Sequence, residues 1–144
     1  MDPLILREQI TVFSQTKQLK TIRDFVSRVV GNSPLPAQDR NKIIIAIDEA
    51  VANIIQHGYE DREDGVIDVI IEATARKFIA RIRDSGVTFN PANVSDIDIE
   101  EHVKAGKKRG LGIFLIRKIM DEVNYTFKEG VQNELLMVKY IKNK

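Results

Sequence analysis

Asn41-Lys-Ile-Ile-Ile-Ala-Ile-Asp-Glu-Ala-Val-Ala-Asn-Ile-Ile-Gln-His-Gly58 is the stretch that decides the fold. A helix turns by about 100° per residue. On that wheel Ile43, Ile44, Ile47, Val51, Ile54 and Ile55 share one broad side. Glu49, Asn53 and His57 recur every fourth residue and form a second stripe on its flank, with Ala46 and Ala50 between the two. A carboxylate, an amide and an imidazole therefore line the edge of a hydrophobic core. A carboxylate placed there can serve as a base, and an amide oxygen can bind a hard cation. Taken alone, the stretch is more simply an amphipathic helix with polar boundary residues, and the rest of the chain must decide.

Upstream, Leu4 to Val12 reads as a strand. From about Thr16 the period becomes helical, with Leu19, Ile22, Phe25, Val26 and Val29 on one face and Gly31 as the stop. Pro34 and Pro36 make Asn32 to Pro36 a loop, and Asp39 is the expected cap of the organising helix. Downstream, Glu60 to Gly65 is a charged turn, and Val66–Ala73 with Lys77–Asp84 forms a hairpin. Alternation puts Ile67, Val69 and Ile71 on one face of its first strand. In the second strand Phe78, Ala80, Ile82 and Asp84 share a face, while Arg81 and Arg83 point away. A carboxylate aimed at the apolar side needs a partner, because an unpaired buried charge is costly. The strand runs into Asp84-Ser-Gly-Val-Thr-Phe-Asn-Pro91, where Gly86 lets a ligand approach the backbone.

Ala92 to Arg109 is long, polar and weakly periodic, as a lid or a solvated surface helix would be. Gly110-Leu-Gly112 opens a helix with Leu111, Phe114, Leu115, Ile119 and Met120 as its apolar positions. Free N–H groups and the positive end of a helix dipole suit phosphate there, although Gly-x-Gly is more often a plain turn into a helix. Val123–Phe127 and Glu134–Ile141 close the chain as a hairpin around Gly130.

The 144 residues suit one domain with one full core. A formal net charge of +1 points to neither nucleic acid nor a membrane surface. The absence of cysteine excludes disulfides, thiolate metal sites and thiol nucleophiles. His57 and His102 are the only histidines, too few for a His-rich zinc site. No basic leader with a long apolar run is present and no segment suits a bilayer, so the cytoplasm is the expected location.

Three features stand in order: Glu-x-x-x-Asn on a helix, Asp-x-Gly at a strand end, and a basic loop leading to Gly-x-Gly and a helix. As an ordered set they resemble the GHKL ATPase superfamily, the histidine-kinase-like ATPases. Within it the chain is similar to the anti-sigma factor serine/threonine kinases of bacterial partner-switching systems. Asp48 to Glu60, Asp84 to Pro91 and Arg109 to Asp121 carry the resemblance, which covers nearly the whole chain. It implies a single domain over residues 1–144 and an α/β two-layer sandwich. The sheet would be mixed and mostly antiparallel, with helices on one face and ATP between the helices and the lid. It also implies roles. Asn53 would coordinate Mg²⁺, and Glu49 would be the general base. Asp84 would accept the adenine amino group, and Gly86 would let the base sit against the chain. Gly110, Leu111 and Gly112 would cradle phosphates, with Lys107, Lys108 or Arg109 adding charge. His57 reads as structural and His102 as a solvated lid residue. Where the superfamily often has a second glycine in its adenine motif, Thr88 stands, a variant that the serine-kinase branch shares.

The implied activity is transfer of the ATP γ-phosphate to a serine or threonine of an anti-sigma factor antagonist, a STAS-type domain. The implied partners are that antagonist and a sigma factor, and a homodimer is allowed. An ATP-binding partner switch without phosphoryl transfer stays open, as do a hydrolysis-driven conformational ATPase and a kinase acting outside sigma-factor control. Fold analogy does not separate them.

Overall fold

The computed structural model describes residues 2–59, 62–86, 111–128 and 132–142. β1 (Leu6–Phe13) is followed by α1 (Gln18–Gly31) and α2 (Ala37–Asn53). A single π-helical turn, Ile54–Gly58, continues α2. β2 (Val66–Ala73) and β3 (Lys77–Asp84) form the expected hairpin. α3 (Leu111–Ile119), β4 (Glu122–Lys128) and β5 (Gln132–Tyr140) complete the described elements.

The strands form one sheet in the order β1-β2-β3-β5-β4. All four pairings are antiparallel, so the expected mixed sheet contains no parallel pair among the described residues. Strand alternation divides the two faces. Ile67, Val69, Ile71, Phe78, Ala80, Ile82 and Met137 are fully buried on the face that meets the helices. Ile22, Val26 and Val29 of α1, Ile43, Ile47 and Val51 of α2, Ile116 of α3 and Met120 just past its end close the same core. Full burial of one such aliphatic side chain contributes about 1.5–3 kcal/mol. The opposite face carries an ion-pair ladder across four strands, which starts with Arg7 of β1 at 3.9 Å from Glu72. Glu72 of β2 pairs with Arg81 of β3, which also meets Glu134 of β5 at 3.5 Å, and Glu134 holds Arg83 at 2.9 Å. No helix among the described residues is long and apolar enough to cross a membrane.

Local chemistry explains where elements depart from expectation. α1 runs through Gly31 to a C-cap at Asn32 with φ −93°, so the stop is not a left-handed glycine. The chain leaves the helix at Ser33, whose hydroxyl donates to the Val30 carbonyl at 2.7 Å just before Pro34. α2 starts earlier than Asp39: its N-cap is Pro36, at φ −59° and ψ 146°, with no side-chain cap. Asp39 sits instead in the first turn, where a carboxylate favours the positive end of the helix dipole. In α3 the core position is Ile116, 3% exposed, whereas Leu115 is 40% exposed. The predicted continuous helix to Gly58 gives way after Asn53 to the π turn, closed by the Tyr59 N–H on the Ile54 carbonyl at 2.9 Å.

Candidate functional site

α2 carries Glu49 and Asn53 one turn apart. The small Ala46 and Ala50 let α2 pack closely, and Asn53 follows them into the interior at 8% exposure. Its Nδ2 is the one buried side-chain polar atom without a hydrogen-bond partner among the described residues. Such an atom costs free energy unless something else uses the group. Glu49 is half-buried. Burial pushes its carboxyl above the ordinary glutamate range, and the negative charge of Asp48 adds to the rise. Asp48 is itself engaged by α1, where Arg23 Nη2 donates to both of its carboxylate oxygens at 3.2 Å.

Asp84 ends β3 on the core face at 4% exposure, as alternation requires. Its Oδ1 accepts the Gly86 N–H at 2.8 Å, which forms a tight side-chain-to-backbone turn. The same oxygen accepts Asn133 Nδ2 at 3.1 Å. Among the described residues no donor reaches Oδ2. Burial raises the Asp84 pKa, and the bonds from Asn133 and Gly86 oppose the rise. Asn133 is 1% exposed, pairs with Asp84 in the β3–β5 register, and also donates to the Gly86 carbonyl at 3.1 Å. It therefore braces the Asp84–Gly86 turn from the neighbouring strand. Sequence reasoning passed over Asn133. The alternation that placed Asp84 inward also places Asn133 beside Leu135 and Met137 on the inner face of β5, and that signal could have found it.

The ends of α2 and β3 are tied together by Tyr59, whose hydroxyl accepts the Ser85 N–H at 2.8 Å. Leu111 and Gly112 open α3, which packs on α2. Lys107, Lys108, Arg109 and Gly110, like Thr88, His102 and the expected lid, lie outside the described residues, as does the side chain of His57. The structure thus joins the Glu49–Asn53 helix to the Asp84–Gly86 turn, with α3 alongside. Among the described residues no group of three or more His, Cys, Asp or Glu side chains gathers as a metal cage. The donor set suits a cation held by one amide oxygen and completed by substrate phosphates, the usual manner of Mg²⁺.

Comparison with known proteins agrees with this fold. The model of the histidine kinase-like ATPase domain matches residues 12–139. The chain is 34% identical over 104 residues to the serine-protein kinase RsbW of Listeria monocytogenes, a match covering 69% of this chain and 65% of that protein. It is 30% identical over 139 residues to the serine-protein kinase RsbW of Staphylococcus aureus, covering 93% of this chain and 86% of that one. The match thus spans just under two thirds of the Listeria relative's length. Among solved structures, the histidine kinase domain of the blue-light activated histidine kinase from Erythrobacter litoralis EL346 superposes with a TM-score of 0.55 at 16% identity. That superposition covers 85% of this chain and 59% of that one, and speaks for the fold alone. The chain belongs to the histidine kinase-like ATPase domain family, on the branch represented by the RsbW serine-protein kinases.

Proposed function

We propose that the chain is an ATP-dependent protein serine/threonine kinase with its nucleotide site between α2, the Asp84–Gly86 turn and the segment leading into α3. The observation that carries the reading is Asn53, a buried amide with an unpartnered Nδ2, one turn after a half-buried carboxylate. A fold that keeps such a group has a use for it. Asn53 would hold Mg²⁺ through its amide oxygen and turn the unpartnered Nδ2 to a phosphate oxygen as donor, and the ion when bound would neutralise phosphate charge. Asp84 Oδ2 would accept the adenine amino group, with Oδ1 held by Gly86 and Asn133. Gly110, Leu111 and Gly112 would meet the phosphates at the start of α3, with Lys107, Lys108 and Arg109 supplying charge.

In the reaction an acceptor hydroxyl oxygen bonds to the γ-phosphorus while the bond from the γ-phosphorus to the β,γ-bridging oxygen breaks. ADP leaves, and Glu49 takes the hydroxyl proton. A carboxylate raised by burial is a better match for that proton than an exposed one. By the names of its relatives the acceptor is a serine. We assign it to a small STAS-type antagonist in a cytoplasmic partner switch that also holds a sigma factor. The test is transfer of labelled γ-phosphate from MgATP to such an antagonist by the native chain and by Glu49→Gln. Transfer that falls by about a hundredfold or more in the variant, with MgATP binding kept, supports the base. Binding without transfer in the native chain would make the protein a nucleotide-controlled binding module.

A further inference from the structure

Tyr59 directly follows the π turn and is 4% exposed. Its hydroxyl is bonded on both sides, donating to the Val66 carbonyl at 2.7 Å and accepting the Ser85 N–H at 2.8 Å. Its own N–H closes the π turn on Ile54 at 2.9 Å, and its carbonyl accepts the N–H and Nε of Arg62 at 2.9 and 3.2 Å. The ring lies against Gly65, where a Cβ would stand 2.4 Å from a ring carbon, so a larger residue there must move the ring. Burial raises the hydroxyl pKa, which keeps it a neutral donor. One side chain therefore joins the end of the helix that bears Glu49 and Asn53, the start of β2, and the residue between Asp84 and Gly86.

We propose that Tyr59 is a positioning residue of the nucleotide site, its hydroxyl holding the Asp84–Gly86 turn in register with the end of α2. The inference rests on the nucleotide reading above. Phenylalanine would fill the same space and lose only the hydroxyl bonds. Ser85 is exposed, so water can take over its N–H. The expected loss is of alignment between the two halves of the site more than of the fold.

The experiment is calorimetric titration of the purified chain with MgATP, reading affinity and stoichiometry separately, for the native protein, Tyr59→Phe and Gly65→Ala. A core variant away from the turn, Ile22→Val, serves as the stability control. Tyr59→Phe is expected to weaken MgATP by about tenfold at unchanged stoichiometry, with Ile22→Val binding as the native chain does. Gly65→Ala displaces the ring by a different route and is expected to weaken binding in the same way, which keeps the test valid if Tyr59→Phe does not fold. Native affinity in a folded variant of either kind overturns the inference. A fall in stoichiometry at native affinity also overturns it, since that marks a purely structural residue. Absence of MgATP binding in the native chain is a distinct result and removes the nucleotide reading itself.

Discussion

Truncating Asn53 to alanine separates a residue kept for a ligand from one kept for the fold. The buried, unpartnered Nδ2 costs the ligand-free protein about 1–3 kcal/mol. Alanine removes that cost and gains about 0.5 kcal/mol of helix propensity at the last residue of α2. Against this stands lost packing of the deleted amide, about 1–1.5 kcal/mol by analogy with small core truncations. The terms leave between about zero and 2.5 kcal/mol in favour of alanine, so Asn53→Ala without ligand should melt at or above the temperature of the native chain. The ligand response should differ sharply. At a hundred times its Kd, MgATP stabilises a folded protein by about 2.7 kcal/mol, or roughly 5–10 °C for a chain of this size. Thermal unfolding with EDTA and then with MgATP reads both quantities on one sample. The native chain should show the ligand shift and Asn53→Ala should lose most of it. A ligand-free variant destabilised by more than about 2 kcal/mol, or one that keeps the full MgATP shift, would refute the reasoning, because Asn53 would then be a packing residue.

Three further outcomes are expected. Because burial raises the Glu49 pKa, its carboxylate is the costly form in the folded state. Stability from this group is present below the unfolded pKa and is lost as pH rises through the folded one. Glu49→Gln should therefore stabilise the ligand-free chain at neutral pH and not in acid, as urea unfolding at both pH values would read. Removing the cation from Asp48 with Arg23→Ala strengthens the negative field at Glu49, so the acid limb of the transfer rate should move to higher pH; a limb that stays put would uncouple the pair from the base. Asn133→Ala deletes two hydrogen bonds to the Asp84–Gly86 turn and should lower stability by about 1–3 kcal/mol in denaturant unfolding while raising the Asp84 pKa further.

The elements that alternation or helical period governs were legible in the chain. Val66–Ala73 and Lys77–Asp84 stand as read, because each inward position is apolar until Asp84 and each outward position on β3 after Lys77 is Ile79 or an arginine. That same phase forced the buried carboxylate into view before any partner for it was known. What escaped was chemistry joined across distance. Tyr59 meets Ser85 26 residues later, and Asn133 meets Asp84 49 residues earlier; no local window holds both partners. The π turn escaped because one altered hydrogen-bond span leaves composition and apolar pattern unchanged. Asp39 was misplaced because two start signals competed, and Pro36, with its φ already fixed, won. Leu115 and Ile116 were exchanged since adjacent branched residues on a short helix differ only by about 100° of phase.

MgATP binding by Asp84→Asn beside the native chain is the measurement that bears most directly on the nucleotide site. Oδ1 of Asp84 is already held by Gly86 and Asn133, and an amide carbonyl can keep both bonds. The amide nitrogen then stands where Oδ2 stood and opposes the adenine amino group donor to donor. The fold should survive, the native chain should bind MgATP, and the variant should bind about a hundredfold more weakly or not at all. Equal binding by both proteins, or none by the native chain, would contradict the placement of ATP at the end of β3.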